Sequence, residues 1–219
     1  MSILKYFDRI DEKNDKLELK PFFKNKKKKN GNDSDSDSSY ECTNDQCIKE
    51  THIAFTDGSC FDNGSKKAIG GIGVFFNDDN SDNISESLQI ENGNVTNNKC
   101  ELEAVRRAII TITKRPNFHY EDFIKIYSDS KYLIDSITKW SNTWAKNGWM
   151  RKNRGGKKVK VKNVELIKEI KCLYVKYNVQ LIHCKAHTTF SGDKDSNEYK
   201  IWYGNKRADE LAVEGSKSN

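Results

Sequence analysis

The sequence predicts an α/β fold in which helices cover a mixed β-sheet. Two observations lead to it: strand-like segments come first along residues 51–90, and helix-like and strand-like segments alternate after them. This order is typical of a mixed sheet with helices on its faces. The chain of 219 residues is long enough for one domain of about 150 residues and an appendage.

The opening strands are predicted from β-branched and aromatic residues and from alternating polarity. Residues 52–55 form a first strand that leads to a turn at Asp57-Gly58, and residues 69–76 form a second strand. Residues 84–90 alternate between apolar and polar side chains and form a third, with the hairpin loop at residues 77–80. We therefore expect the domain to open with a three-stranded antiparallel meander.

The later elements alternate between helix and strand. Thr96 and Asn97 cap a helix in which apolar residues recur at helical spacing as far as Ile112, and this helix ends before Pro116. The remaining predicted elements are a strand at residues 123–127, a helix from Ser130 through Ile137, a helix near residues 164–174, a strand at residues 179–183 and a helix from about residue 206 to residue 214.

The first fifty residues differ from the rest of the chain. They lack sustained apolar periodicity and contain a lysine-rich run at residues 24–29, followed by an Asp/Ser tract at residues 33–39. Such a segment cannot bury enough apolar surface to offset the entropy cost of ordering it. We predict a disordered arm at residues 1–50 and a folded domain at residues 51–219.

Composition excludes several classes of protein. No stretch of about 18 apolar residues is present, which argues against a membrane span. Lys5, Asp8 and Arg9 interrupt the apolar run that a secretory signal needs. The six cysteines follow no regular spacing, so neither a disulfide framework nor a structural zinc site is indicated. We expect a reducing intracellular compartment and no membrane partner.

The positive charge is concentrated in one segment. The formal net charge is +6, and residues 1–50 are balanced in charge. Residues 136–164 hold nine Lys or Arg side chains and no Asp or Glu. A basic lobe on an otherwise mildly acidic body indicates a surface that docks a polyanion.

Four carboxylates stand in distinct local signatures along the chain. They are Asp57 in Thr56-Asp57-Gly58-Ser59, Glu101 in Asn97-Asn98-Lys99-Cys100-Glu101, Asp129 in Tyr127-Ser128-Asp129-Ser130, and Asp209 in Gly204-Asn205-Lys206-Arg207-Ala208-Asp209. Each one alone is better explained as a helix cap or a solvated turn acid than as a metal ligand. Carboxylates that a fold gathers in one place repel each other unless a hard cation neutralises them. The set of four therefore points to a divalent-metal site that cuts a phosphodiester.

The four signatures, their order and their spacing resemble the ribonuclease H type 1 family over about residues 51–216, and a Trp-rich basic segment follows the pattern too. The resemblance implies a ribonuclease H-like fold with a five-stranded mixed sheet and a basic protrusion. It also implies a monomeric endonuclease that hydrolyses the RNA strand of RNA/DNA hybrids, leaves 3′-hydroxyl and 5′-phosphate ends, and acts in primer or R-loop removal. The implied cofactor is two Mg²⁺ ions held by the four carboxylates, with Mn²⁺ as a substitute.

Two other functions are compatible with the same residues. In a non-catalytic module that binds RNA/DNA hybrids, the acidic residues would only shape a groove. In a fragment derived from a reverse transcriptase, a polymerase segment would be expected, and these 219 residues contain none. A binding module gains nothing from carboxylates that repel each other, so the sequence favours the enzyme.

The resemblance also assigns roles to individual side chains. His187 matches a histidine of proton transfer and product release, with a surface loop histidine as the alternative, and the inserted residues 188–203 separate it from Asp209. The implied substrate contacts are Asn63, Asn97 and Asn98 near the 2′-hydroxyl, Thr96 and Asn163 in a phosphate pocket for the DNA strand, and Tyr132, Trp140 and Trp144 in a channel that packs against deoxyribose. Turn and cap chemistry is the alternative for the asparagines, and core packing is the alternative for the aromatic residues.

The start of the chain carries a separate signal. Ile3, Tyr6 and Phe7 have the spacing of a peptide that plugs a sliding clamp, although the usual glutamine is absent. A frayed terminus with incidental apolar residues is the alternative. The lysine run at residues 24–29 indicates either a nuclear localisation signal or an electrostatic tether. We expect a nuclear protein, or a cytoplasmic one if the source is viral.

Overall fold

A computed structural model describes residues 49–89, 95–186 and 188–218 of the chain. The clamp-binding prediction for Ile3, Tyr6 and Phe7 lies outside the described residues, and so does the prediction for His187. Within the described ranges, no helix combines the length and the apolar character needed to cross a membrane.

The described residues form a five-stranded mixed sheet with helices on its faces and a separate two-stranded hairpin. In chain order the elements are β1 (Thr51–Phe61), β2 (Ile69–Phe75), β3 (Ile84–Leu88), α1 (Asn97–Thr113), β4 (Phe123–Ser128), α2 (Lys131–Asp135), a π-helical segment (Ser136–Trp140), α3 (Ser141–Lys146), β5 (Met150–Lys152), β6 (Lys158–Lys160), α4 (Val164–Lys176), β7 (Asn178–His183) and α5 (Asn197–Lys217).

The strand order of the main sheet is β3-β2-β1-β4-β7. The first three strands pair antiparallel, as the meander predicts, and β1, β4 and β7 pair parallel. The predicted mixed sheet is therefore confirmed, and its five strands are those that the family resemblance implies. Because the strands after the meander are parallel, helices connect them and cover the sheet.

Helices α1 and α5 lie on opposite faces of the sheet, and glycines of β2 allow both to approach closely. A Cβ on Gly70 would lie 2.6 Å from Sγ of Cys100 in α1, and a Cβ on Gly71 would lie 2.0 Å from the carbonyl oxygen of Ala212 in α5. Neighbouring residues of a strand point to opposite faces, which places the two helices on opposite sides. The main core between α1, α4 and the sheet is apolar and includes Ile72, Leu102, Ile109, Ile124, Ile126 and Ile167.

The first strand is longer than predicted. The expected turn at Asp57-Gly58 is wrong, because β1 continues through these residues and pairs with β2 as far as Phe61 opposite Ile69. The chain turns afterwards, where Asp62 has φ 51°. Gly58 serves close packing and no turn, since a Cβ there would lie 2.3 Å from the backbone nitrogen of Glu101.

The last helix begins earlier than predicted. The sequence places its start at about residue 206, but α5 spans Asn197–Lys217 and Asp209 lies well inside it. Ser196 caps the helix, since its Oγ accepts a hydrogen bond from the Tyr199 N–H at 3.1 Å. Gly204 lies inside α5 and does not interrupt it. A Cβ there would lie 2.4 Å from the ring of Phe55. The absence of a side chain lets α5 pass close over β1 at this point. Of the inserted residues 188–203, residues 197–203 form the first turns of α5.

The basic segment forms a protrusion beside the main sheet. It consists of the π-helical segment, α3 and the hairpin of β5 and β6, in which Arg151 pairs with Val159. The sequence analysis identifies the charge of this segment but not its hairpin. Trp149 is buried in the main core, with 7 % of its surface exposed, and thereby attaches the protrusion to the domain.

Candidate active site

Asp57 lies on β1, and Asp129 directly follows β4, the parallel strand beside it. The register of β1 and β4 pairs Phe55 with Tyr127. Asp57 and Asp129 each follow two residues later, and residues two apart on a strand point to the same face. Asp57 is buried, whereas Asp129 is half-buried just after the end of β4. The parallel pairing of these strands is therefore what brings the two carboxylates together.

Glu101 reaches the same place from α1. The helix approaches β1 at Gly58, where no side chain separates the strand from the backbone of Glu101. The buried Glu101 carboxylate accepts a hydrogen bond from Nδ2 of Asn97 at 3.0 Å through Oε1, and one from the Ser130 hydroxyl at 2.5 Å through Oε2. Both carboxylate oxygens are thus held in a fixed orientation by side chains of α1 and of the α2 cap.

Asp209 is brought to the cluster by α5. In β2, Gly73 pairs directly with Asp57. A Cβ on Gly73 would lie 2.0 Å from the carbonyl oxygen of Ala208, so the helix backbone rests on the strand at this point. Asp209 is the next residue and is half-buried. Two glycines, one facing each helix, therefore set how close Glu101 and Asp209 come to the strand that carries Asp57.

Burial and the neighbouring carboxylates raise the pKa values of Asp57 and Glu101. Burial raises the pKa of Asp57 to about 8, and the neighbouring charge of Asp129 adds to this, with smaller contributions from Asp209 and Glu101; the Gly58 N–H opposes the shift. Burial also raises the pKa of Glu101, although the Ser130 hydrogen bond lowers it again. In residues 49–89, 95–186 and 188–218, none of the four carboxylates forms an ion pair with Lys, Arg or His. The cluster is an uncompensated negative site.

The donor set suits a hard divalent cation, but the side chains do not converge on one point. Within the described part of the chain, no group of three or more His, Cys, Asp or Glu side chains is placed so as to hold one ion as it stands. The backbone segments that carry the four groups nevertheless meet around β1, through its pairing with β4 and β2 and the close helix packing at Gly58 and Gly73. Like charges favour separated carboxylate oxygens, and a bound cation would draw them together. Mg²⁺ and Mn²⁺ both prefer carboxylate oxygens.

An open cleft of about 810 Å³ contains most of the residues assigned to substrate. Its lining includes Asn63, Thr96, Asn98, Tyr132, Trp140, Trp144 and Asn163, together with Gly64, Arg151, Lys152, Val161 and Lys162. Asn97 does not line the cleft. Its backbone N–H donates to Oδ1 of Asn63 at 3.4 Å and its side chain donates to Glu101, so it connects the cleft to the carboxylates.

The aromatic residues of the cleft form a continuous row. The ring centroids of Tyr132 and Trp140 are 6.3 Å apart, and those of Trp140 and Trp144 are 5.5 Å apart. Tyr132 and Trp144 also pack against the main core, whereas Trp140 is 39 % exposed. The alternative of pure core packing therefore holds in part for Tyr132 and Trp144 but does not account for Trp140.

The polar end of the cleft lies between two helix N-termini. Thr96 and Asn163 occupy the cap positions of α1 and α4, and neither side chain makes a capping hydrogen bond. Asn163 has φ 57°, a left-handed conformation that asparagine tolerates better than most residues. Both residues line the cleft, where the Asn163 side chain is hydrogen-bonded to Tyr132. The positive ends of the two helix dipoles favour an anion such as a phosphate there.

Sequence reasoning missed several side chains around the cluster. Ser130 is predicted only as the start of a helix, although its hydroxyl also binds Glu101. Cys184, which follows β7, donates from Sγ to Oδ1 of Asn205 at 3.1 Å. Burial raises the pKa of the Cys184 thiol to about 12, and the charges of Asp129 and Asp57 add to the shift. Only the alignment of β4 with β7, which is non-local, brings these groups together.

Comparisons with known proteins point to one family. The family model described as RNase H matches residues 49–217. Ribonuclease H of Schizosaccharomyces pombe is 35 % identical over 167 residues, which are 76 % of this chain and 53 % of that protein. Ribonuclease H of Clostridium botulinum is 35 % identical over 164 residues, which are 74 % of this chain and 93 % of that protein. The chain spans about half the length of the fission yeast and mammalian relatives it matches.

Solved structures share the fold. The crystal structure of LC9-RNase H1, a type 1 RNase H with the type 2 active-site motif, superposes with a TM-score of 0.53 at 21 % identity, over 77 % of this chain and 73 % of that one. The foamy viral protease-reverse transcriptase, in its complex with double-stranded DNA, superposes with a TM-score of 0.52 at 22 % identity, over 76 % of this chain and 94 % of that one.

Proposed function

We propose, from the premise that this chain belongs to the ribonuclease H family, that it cleaves the RNA strand of RNA/DNA hybrids. Cleavage would be endonucleolytic and leave 3′-hydroxyl and 5′-phosphate ends. The observation that carries the proposal is the approach of four acidic residues to one region of β1. Asp57 lies on β1, Asp129 follows the strand paired with it, Glu101 packs at Gly58, and Asp209 follows the residue that packs at Gly73. None of the four has a basic partner in the described residues. A binding module has no use for such a cluster, which costs stability through mutual repulsion.

The four carboxylates are the proposed ligands of two Mg²⁺ ions, with Mn²⁺ as a substitute. Two such ions would supply Lewis-acid stabilisation of the negative charge that develops on the phosphate during an in-line displacement. The protein supplies the orientation of the ligands. Asn97 and Ser130 hold the Glu101 carboxylate, and the close packing of α1 and α5 on β1 and β2 fixes where Glu101 and Asp209 enter the site.

The cleft supports recognition of a hybrid. Asn63 and Asn98 present amide groups, which can both donate to and accept from the 2′-hydroxyl that distinguishes RNA from DNA. The row of Tyr132, Trp140 and Trp144 offers apolar contact to the deoxyribose of the other strand. Arg151, Lys152 and Lys162 add positive charge along the same cleft, which favours phosphates.

His187 completes the proposal as the group that moves a proton at the leaving oxygen and assists product release. Its sequence position supports this proposal, since it follows Cys184 by three residues, and the Cys184 backbone N–H donates to the carbonyl oxygen of Ser128, the residue before Asp129, at 3.1 Å. A histidine titrates near neutral pH and suits proton transfer.

The biological setting is proposed from the sequence alone. Primer removal or R-loop removal would use this activity, in the nucleus or, for a viral protein, in the cytoplasm. Ile3, Tyr6 and Phe7 would connect the enzyme to a sliding clamp. Substituting Tyr6→Ala together with Phe7→Ala should abolish capture of a clamp without changing the rate of hybrid cleavage, and unchanged capture would refute the contact.

A comparison of duplexes tests the proposed activity. End-labelled RNA/DNA, RNA/RNA and DNA/DNA duplexes of one sequence are incubated with the protein in Mg²⁺ or in chelator. We expect cleavage of the RNA strand of RNA/DNA alone, and only in Mg²⁺. Products should carry 3′-hydroxyl ends that a polymerase extends directly. Binding of RNA/DNA without cleavage in either condition would instead support a non-catalytic module.

A further inference from the structure

Three aromatic rings gather where the segment after β7 meets the first turns of α5. We call Phe190, Tyr199 and Trp202 the aromatic platform. The ring centroids are 5.3 Å apart for Phe190 and Tyr199, 5.8 Å for Phe190 and Trp202, and 5.6 Å for Tyr199 and Trp202. All three side chains are half-buried, so part of each remains open to solvent. The platform belongs to the inserted residues and takes no part in the cleft described above.

The platform is held in place before any ligand binds. Nε1 of Trp202 donates to the carbonyl oxygen of Thr188 at 2.5 Å. Tyr199 stacks on Tyr203 with centroids 5.8 Å apart, and the Tyr203 hydroxyl donates to Asp78 at 2.8 Å. Tyr203 also packs edge-on against Phe75 of β2. Because these contacts already fix the rings, a ligand that stacks on them would lose little free energy to side-chain ordering.

Trp202 of the platform leaves α5 on the same side as Asp209. Trp202 and Asp209 are seven residues apart on the continuous helix α5. Seven residues are close to two turns of 3.6 residues, so both side chains leave the same side of the helix, about 10 Å apart along its axis. At about 3.4 Å per nucleotide step along a duplex strand, this separation corresponds to about three steps. A strand that contacts Asp209 and follows the axis of α5 toward its N-terminus therefore passes within reach of Trp202.

A cation lies between the ring and the cluster. Nζ of Lys206 is 5.7 Å from the centroid of the Trp202 ring, and Lys206 also pairs with Glu210 at 3.6 Å. Along α5, Lys206 lies one turn after Trp202, toward Asp209. Glu198 lies one turn before Trp202, away from Asp209. Positive charge beside a partly exposed indole is a combination that binds single-stranded nucleic acid.

The chemistry of stacking selects the ligand. Bases inside a duplex are already stacked on their neighbours and offer no free face, whereas an unpaired base does. We propose that the aromatic platform stacks an unpaired base of the RNA strand that enters the active site. This inference rests on the proposed function. It implies that the preferred substrates are hybrids that continue into single-stranded RNA, a junction rather than a plain duplex.

The test compares blunt and extended hybrids of one sequence. The RNA strand carries several unpaired nucleotides at its 5′ end in one substrate and at its 3′ end in another. We expect the wild-type protein to cleave one extended hybrid with kcat/KM roughly tenfold higher than the blunt hybrid, given the strength of base stacking on aromatic side chains. Trp202→Ala should remove that preference. Trp202→Phe, which keeps a ring but loses the Nε1 donor, should retain most of it.

A matched control separates stacking from general loss of a surface aromatic. Tyr120 is 61 % exposed and precedes β4, at the opposite end of the strand from Asp129. Tyr120→Ala should leave the preference for the extended hybrid unchanged. The inference is overturned if the wild-type protein cleaves blunt and extended hybrids equally, or if Trp202→Ala lowers both rates alike. Either result would limit the platform to a structural role in the inserted segment. Cleavage of the blunt hybrid would still support the proposed function.

Discussion

The Ser130 hydroxyl donates a 2.5 Å hydrogen bond to Oε2 of Glu101, and its oxygen also accepts the backbone N–H of Leu133 at 3.2 Å. One side chain thus caps α2 and orients a carboxylate of the cluster. The two roles connect the end of β4 to α1, so the geometry of the site depends on a residue that is not itself a candidate metal ligand.

Replacing Ser130 with alanine should therefore lower activity and stability together. We expect kcat to fall by about ten- to a hundredfold, the usual effect of losing a partner that orients a ligand, and the free energy of unfolding to fall by about 1 kcal/mol for the lost cap. Steady-state kinetics on a blunt hybrid and urea denaturation measure the two effects.

Ser196 provides the matched control for that variant, because it caps α5 in the same way at 3.1 Å and has no contact with the cluster. Ser196→Ala should cost similar stability while kcat on the blunt hybrid changes far less. Equal losses of kcat in the two variants would show that the Ser130–Glu101 hydrogen bond has no functional role.

The pKa of Asp57 predicts how metal-free stability depends on pH. The pKa rises from 3.8 to about 8 on folding, so the protonated form is favoured in the folded state. The contribution of Asp57 to stability is then fully present below about pH 4 and is lost as the pH rises through about 8. Denaturation in chelator across this range should show a loss of stability that is absent in Asp57→Asn.

Mg²⁺ should restore stability to the wild-type protein at the alkaline end of that range, because a bound cation stabilises the ionised carboxylates. Asp57→Asn should gain less from the same Mg²⁺ concentration. If wild-type protein and Asp57→Asn show the same pH dependence in chelator, the electrostatic coupling inferred for the cluster is incorrect.

Gly58 should be intolerant of even one added carbon. A Cβ there would lie 2.3 Å from the Glu101 nitrogen and 2.5 Å from the Cys100 carbonyl carbon, so α1 must move away from β1. Overpacking of this kind costs about 1–3 kcal/mol. Gly58→Ala should lower both stability and cleavage. Gly155→Ala is the control, since its Cβ would meet Oδ1 of Asn153 at an ordinary 3.6 Å, and it should change the free energy of unfolding much less.

The protrusion should contribute salt-dependent binding. Substituting glutamine at Lys157, Lys158, Lys160 and Lys162 should weaken hybrid affinity and flatten the plot of log affinity against log salt concentration, because fewer counterions are released. Fluorescence anisotropy in chelator measures binding without cleavage. The control is Lys114→Gln with Lys176→Gln, which alters the C-terminal ends of α1 and α4, the helices whose N-termini line the cleft. An unchanged slope in the fourfold variant would remove the protrusion from the binding surface.

The sequence predicts those parts of the fold that depend on local patterns. Alternation and helical spacing identify β2, β3, α1, α4 and β7 to within a few residues, and they find β1 but not its end. Local patterns do not predict features that depend on contacts between distant parts of the chain. Gly58 resembles a turn residue in isolation, yet it lies inside β1 because α1 packs against it. The strands of the β5–β6 hairpin are too short and too rich in lysine to show a periodic signal.

The candidate site, too, is only partly predicted by local patterns. The signatures around Asp57 and Asp129 indicate acidic residues near strand ends, and the parallel register of β1 and β4 then places them together. No local signal connects Ser130 to Glu101, which are 29 positions apart, because that contact depends on how α1 packs beside the end of β4. The aromatic platform is likewise invisible until α5 is known to begin at Asn197.

Hybrid cleavage by Asp57→Asn and Asp129→Asn, measured beside hybrid binding, tests the role of the cluster most directly. Asparagine keeps the shape of the side chain and removes its charge. We expect both variants to fold at least as stably as the wild-type protein, to bind an RNA/DNA hybrid, and to show no cleavage above background in Mg²⁺. Cleavage by either variant at the wild-type rate would contradict a metal-dependent nuclease built on these carboxylates.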